Sequence, residues 1–221
     1  RQFDTGLTNI YYGDEVGGSE LKPLDAIHRR QGGLWVATDG NGLVSFQSGS
    51  VFTIISPNGP KNNSAYRMAS ANGTLYVTTG GPSSNWGNEF RKDGIHHFSK
   101  GQWGTTDLFD DPLYSAGANS FGGTVNDVMP VQVDPNDGNH AFVGSWDDGL
   151  LEIRDDHVTG FYGPDNSTLQ RFQHGATDDV PTQVGGLAYD KNNNLLVTNS
   201  NCAPPISVRL KNGSWYSFNP G

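Results

Sequence analysis

The chain has 221 residues, 30 of them glycine, with 34% hydrophobic and 17% charged side chains, which suits one large all-β domain, or two small ones, built from many short strands. Its 14 basic residues against 23 acidic ones leave a net charge of −9, which excludes non-specific attraction to nucleic acid or to an anionic membrane. Cys202 is the single cysteine and excludes an intrachain disulfide, and no apolar run approaches the ~20 residues of a membrane-spanning helix.

In chain order, Asp25 to Arg29 reads as a short strand that turns at Gly32-Gly33 into the β-rich run Leu34-Trp35-Val36-Ala37-Thr38. Asp39-Gly40-Asn41-Gly42 then forms a hairpin, because glycine and asparagine accept the positive φ of tight turns. Leu43 to Phe46 and Val51 to Ile55 complete four antiparallel strands, with a turn at Gln47-Ser48-Gly49-Ser50. The order recurs. Tyr66 to Ala69 leads through Asn72-Gly73 into Leu75-Tyr76-Val77-Thr78. Asp127 to Val133 leads through a turn at 134–139 into Ala141-Phe142-Val143-Gly144, and Gly186 to Tyr189 leads through 190–194 into Leu195-Leu196-Val197-Thr198.

Self-similarity at this period is the mark of a repeat architecture. No segment keeps a helical period. Four-stranded meanders repeated radially are propeller blades, each stable only against its neighbours. The expected fold class is therefore all-β, a β-propeller of four-stranded antiparallel blades at about 24–56, 65–107, 125–162 and 184–218. The chain opens on what reads as an outer strand at Arg1-Gln2-Phe3 and closes after another at Ser214 to Phe218. It reads as part of a larger propeller; alternatively, residues 1–3 close a small ring by joining the last blade. Isolated, such a piece is expected to dimerise or aggregate through its exposed blade faces.

The second strands begin at Leu34, Leu75, Ala141 and Leu195, at intervals of 41, 66 and 54 residues, whereas a plain blade takes about 40–50. The excess lies in inserts at 80–93, 109–124, 163–183 and, shorter, 199–205. Loops between second and third strands share a face with the loops that join blades, so all four inserts fall on one face of the disc. The opposite face keeps only tight turns. One-sided elaboration in repeat proteins marks a binding face.

On that face Trp86 and Arg91 lie in the 80–93 insert, and Trp146, Asp147 and Asp148 at a hairpin. Aromatic rings beside carboxylates and an arginine can stack on a sugar and hydrogen-bond its hydroxyls; alternatively, Trp146 packs between blades and Asp147-Asp148 is a turn. Asp134-x-Asn136-Asp137-Gly138-Asn139 resembles the start of a calcium loop but lacks the bidentate glutamate, and Asp190-x-Asn192 in the next blade favours a turn role for both. His96 and His97 point to opposite faces of a strand, so no metal site and no cofactor is expected. No nucleophile elbow is present, and only four glutamates are available for paired acid–base work. The chain is read as a non-enzyme. The asparagines of the sequons at Asn62, Asn72, Asn166 and Asn212 read as turn residues.

Gly33-Leu34-Trp35-Val36-Ala37-Thr38-Asp39-Gly40-Asn41-Gly42-Leu43 resembles the two-component-regulator propeller repeat closely, and Gly144-Ser145-Trp146-Asp147-Asp148-Gly149-Leu150 more loosely. Two Bacteroidetes families carry such propellers: hybrid two-component sensors of glycans, and the PorZ-type component of the type IX secretion system. The 80–93 insert with Gly94-Ile95-His96-His97-Phe98 is more similar to the second. That resemblance implies a non-catalytic binding or scaffold module, periplasmic or at the cell surface, whose partners are a glycan or lipopolysaccharide and secretion-system proteins including the sortase. The alternatives are the glycan-sensing half of a hybrid regulator and a propeller lactonase, for which Asp39 and Asp147 occupy equivalent hairpins.

Overall fold

The computed structural model describes residues 15–16, 19–30, 32–48, 51–55, 57–108, 111, 125–173 and 181–220. The strand expected at 1–3, most of the 109–124 insert, residues 174–180 of the third insert and the tip of the 47–50 turn lie outside the described residues. The described residues form strands and turns without a helix, in two compact units, 1–59 and 60–221.

The first unit holds a short antiparallel pair, β1 (Glu15–Val16) and β2 (Ser19–Glu20), and one four-stranded sheet in the order β3 (Pro23–His28), β4 (Leu34–Thr38), β5 (Gly42–Ser48), β6 (Val51–Ile55). The β4–β5 hairpin is closed by the Thr38 hydroxyl, which donates to the Gly42 carbonyl at 2.8 Å. Alternation along the strands gives the sheet two different faces. Val36, Val44 and Phe46 are buried on one, with Leu34 and Ile54 beside them. The other carries Ile27, Trp35, Ala37 and Leu43, with Ile27 64% exposed.

The second unit contains three further antiparallel sheets, each in chain order across the sheet. They are β7 (Arg67–Ala71), β8 (Thr74–Thr78), β9 (Ile95–Ser99) and β10 (Gln102–Thr106); β11 (Val128–Asp134), β12 (Asp137–Ser145), β13 (Leu150–Arg154) and β14 (His157–Tyr162); and β15 (Val184–Tyr189), β16 (Leu195–Asn199), β17 (Ile206–Arg209) and β18 (Trp215–Phe218). The first strand of the middle sheet, β11, packs against the first strands of both neighbours, β7 and β15. These are propeller blades, with their first strands innermost.

The middle blade explains the apolar run in its sequence. On one side Val131, Ala141, Val143, Leu151 and Ile153 join Tyr76 and Ile95 of the preceding blade. On the other, Phe142 and Leu150 join Val184, Leu195 and Val197 of the following blade. A strand covered on both faces has no polar face to alternate with, so Ala141 to Ser145 are all buried. Pro130, which cannot donate to a ladder, falls where the β11–β12 register shifts between Val128 and Val131. Gly144 faces the following blade at close quarters, where an added Cβ would lie 2.5 Å from a Val184 methyl and 2.7 Å from the Pro130 ring.

On the tight-turn face, side chains link blade to blade. Asn72 Nδ2 donates to the Pro135 carbonyl at 2.8 Å, and Asn136 Nδ2 to Asn193 Oδ1 at 3.0 Å. Asp134 Oδ1 accepts the Asn136 amide, and Asp190 Oδ1 accepts the amides of Asn192 and Asn194, each at 2.8 Å. The carboxylates of the calcium-like sequence thus work as turn caps. The sequon asparagines do the same: Asn62, Asn166 and Asn212 accept the amides of Ser64, Gly163 and Ser214.

If close approach at Gly144 fixes the blade spacing, Gly144→Ala lowers unfolding stability by about 1–3 kcal/mol, the usual cost of overpacking. Gly59→Ala, where an added Cβ meets nothing within 4 Å, stays within ~0.5 kcal/mol of the parent. Urea unfolding of the two variants checks this; equal midpoints would contradict it.

Candidate recognition face

The 79–94 connection between β8 and β9 contains no strand, yet its backbone is fixed at three points. Gly80 enters it beneath the next blade: its amide donates to the Val128 carbonyl at 2.9 Å, and an added Cβ there would lie 2.4 Å from the Asp127 carbonyl carbon. Ser83 then closes a tight turn, its amide donating to the Gly87 carbonyl and its hydroxyl accepting the Gly87 amide, each at 2.9 Å. Finally, Glu89, Phe90 and Arg91 bend around one side chain. Asp127 Oδ2 accepts the amides of Glu89 at 3.0 Å and Phe90 at 2.9 Å, and Oδ1 accepts that of Arg91 at 3.0 Å.

Three amides on a fully buried carboxylate are charge-assisted bonds in a low-dielectric setting, and they are the strongest restraint on the loop. Asp127 also donates its own amide to the Arg91 carbonyl at 3.0 Å, and its carbonyl accepts the Trp146 amide at 3.1 Å. The insert of one blade is thereby bound to the hairpin of the next.

Two aromatic residues are held out to solvent by this arrangement. Trp86 is 69% exposed with φ 64°, and Phe90 is 64% exposed with φ 57°. A positive φ is costly for bulky side chains and persists where the surroundings over-determine it. Trp146, by contrast, is 4% exposed: its indole N–H donates to the Trp86 carbonyl at 2.9 Å, and the two rings lie 6.2 Å apart at 43°. It buttresses Trp86 and offers no open ring of its own. Arg91 is exposed at the foot of the same loop.

Asp147 and Asp148 belong to the β12–β13 hairpin, where the Ser145 hydroxyl accepts both their amides, at 3.0 and 2.9 Å. The hairpin continues the lacing: Asp147 and Gly149 exchange backbone bonds with Thr182, and Ser200 donates to Gln183. Asp148 accepts the Asn126 amide at 2.9 Å. Burial, reinforced by the neighbouring charges of Asp147 and Asp127, pushes its carboxyl up to about 6, against the hydrogen bonds from Asn126 and Ser145.

The structure therefore joins Trp86, Arg91 and Trp146 in one assembly and places Asp147 and Asp148 in the adjoining hairpin as backbone ties. Phe90 and Asp127 were not singled out by sequence reasoning. An aspartate just before a strand carries no local mark of the three amides it collects from residues 36 to 38 positions earlier. The two histidines of β9 are used internally. His96 is bonded to Thr105 and Asn62, and His97 to Asp156; burial pushes both imidazoles down. Burial pushes the Cys202 thiol up, away from the reactive thiolate.

No protein-family model matches the chain, and no curated protein matches it in sequence. Among solved structures, PorZ superposes with a TM-score of 0.62 at 22% identity, over 85% of this chain and 24% of its own. The likeness is one of fold. PorZ is an essential bacterial surface component of the type-IX secretion system of Porphyromonas gingivalis, and the chain spans about a quarter of its length. The extracellular domain of a putative hybrid two component system from B. thetaiotaomicron gives a TM-score of 0.39 at 16% identity, over 95% of this chain and 22% of its own. A GH74 enzyme of Niastella koreensis gives 0.43 at 18%, over 91% and 29%. No activity follows from likeness of that degree.

Asp127→Asn places an amide N–H₂ among three N–H donors. It is expected to cost about 1–3 kcal/mol and to speed hydrogen exchange of the Glu89, Phe90 and Arg91 amides; unchanged exchange would refute the anchor. Asp148 gives an independent test. Its carboxyl titrates near 3.8 when unfolded and about 6 when folded, so the folded state holds the proton more tightly. The penalty is absent below about pH 4, grows as pH rises to about 6, and reaches about 3 kcal/mol above that. Asp148→Asn, which keeps an acceptor for Asn126, should recover part of this at pH 7 and none at pH 4 in urea titrations.

Proposed function

We propose that the chain is a non-catalytic recognition module of the bacterial envelope, which holds a glycan or lipopolysaccharide on its elaborated face through Trp86 and Phe90, with Arg91 beside them. The observation that carries this reading is the pair of exposed aromatic rings on positive φ, on a loop anchored by Asp127 and propped by Trp146. A rigid aromatic contact loses little entropy on binding and gives a sugar ring a flat face, and a nearby guanidinium supplies planar donors to hydroxyls or acidic groups. In this reading Asp147 and Asp148 hold the hairpin in place.

The likeness of fold to a secretion-system surface component supports the envelope location and, as partners, secretion-system proteins. A non-catalytic role is favoured by the use of the face's groups. Asp127, the buried carboxylate that anchors the loop, is engaged by three backbone amides, which leaves it no part as a base or ligand toward substrate.

The test is direct binding of the purified chain to lipopolysaccharide and to neutral and acidic oligosaccharides, with Trp86→Ala, Phe90→Ala and Arg91→Ala alongside. At about 1–3 kcal/mol for a buried aromatic contact, each aromatic truncation should weaken binding by about 5- to 150-fold while leaving the melt unchanged. Saturable binding that ignores both aromatic variants would overturn the assignment of the face. Binding to no saccharide would overturn the ligand class.

A further inference from the structure

The tight-turn face holds a second candidate, independent of the loop face: a pocket of about 320 Å³ between the third and fourth sheets. Several of its lining charges are satisfied through Glu152, which lies behind them. Glu152 Oε1 accepts from His140 Nε2 at 2.8 Å and from Arg154 Nε and Nη2 at 3.2 and 3.1 Å. Glu152 Oε2 accepts the Tyr162 hydroxyl and lies 3.5 Å from Arg209 Nη2. Asp134 Oδ2 faces His140 Nδ1 at 3.0 Å, and Asn193 Nδ2 lies 3.3 and 3.4 Å from its two oxygens. All four carboxylate oxygens are engaged.

The donors are not all engaged. Tyr189 Oη and Arg209 Nε are buried without a hydrogen-bond partner. Arg209 lies over the Phe142 and Tyr162 rings, 5.1 and 5.4 Å from their centroids, which holds its plane at the floor. Burial and the Asp134 carboxylate push the Tyr189 hydroxyl up, so it remains a neutral donor. At the mouth Lys211 is exposed, with no ion pair among the described residues. Asn212 uses its oxygen on the Ser214 amide and keeps its N–H₂. A carboxylate acceptor remains at the rim: Asp137 binds the Asn139 amide through Oδ1.

A polar cavity with spent acceptors and spare donors is matched by an acceptor-rich anion, since buried polar groups left unpaired are costly and a partner relieves that cost. The rim carboxylate of Asp137 calls for a hydroxyl on the same molecule. The volume is at the small end of ligand sites. We propose that this inter-blade pocket binds a small hydroxylated carboxylate, a sugar acid or hydroxy acid of monosaccharide size, with its carboxylate toward Arg209, Tyr189 and Lys211 and a hydroxyl toward Asp137. Such a ligand spans two blades and stabilises the seam it occupies.

Calorimetric titration of the intact chain with D-glucuronate, citrate, inorganic phosphate and glucose tests this. Glucuronate distinguishes a sugar acid from the hydroxy acid citrate; either one binding saturably, with glucose silent, supports the pocket. Lys211→Ala, at an exposed position, and Tyr189→Phe, which deletes an unpaired hydroxyl and leaves the fold intact, should each weaken that binding about tenfold or more. Trp86→Ala, on the loop face, should leave it unchanged. No carboxylate binding, binding of phosphate alone, or carboxylate binding insensitive to both pocket variants would overturn the proposal.

Discussion

A four-stranded sheet with apolar side chains on both faces loses stability wherever one is left in water, and gains most between two others. The middle blade of the 60–221 unit meets that condition, with Ala141 and Val143 buried toward one neighbour and Phe142 toward the other. Burial on both faces leaves little of the sheet for recognition. Side chains able to meet a ligand are displaced to the two ends of the strands, where loops and turns emerge. The loop face and the inter-blade pocket both follow from this constraint.

The two ends solve the same problem with different chemistry. On the loop face, backbone bonds run from Arg91 to Asp127, on to Trp146, from Asp147 to Thr182 and from Gln183 to Ser200. Backbone bonding of this kind tolerates changes of side chain. On the turn face the links run through side chains, from Asn72 to the Pro135 carbonyl, from Asn136 to Asn193 and from Arg209 to Glu152. They depend on residue identity. Side-chain changes on the first face that spare Asp127 therefore leave the stack in place.

The blades were legible in the sequence because their signals are local: Asn72-Gly73 and Asp39-Gly40-Asn41-Gly42 specify turns, and the runs beginning at Leu34, Leu75, Ala141 and Leu195 are β-rich over five residues or fewer. The site was legible only in part. Trp86 and Arg91 could be placed on the elaborated face by counting strands. That Trp146 is covered depends on where a loop some 60 positions earlier settles. Asp127 and the Glu152 cluster are equally non-local: each gathers partners from several strands, and nothing in its own sequence neighbourhood announces them.

The Asn72-Gly73 turn has one further consequence, for the chemical ageing of the protein. Asparagine followed by glycine is the dipeptide most prone to deamidation, because glycine leaves the following amide free to attack the side chain. Here the Asn72 amide nitrogen is the group that donates to the Pro135 carbonyl of the next blade. Deamidation would set a carboxylate oxygen against that carbonyl, replacing a bond with a repulsion between two blades. The hydrogen bond that joins the turns also restrains the side chain from cyclising, so the same contact that depends on the amide preserves it.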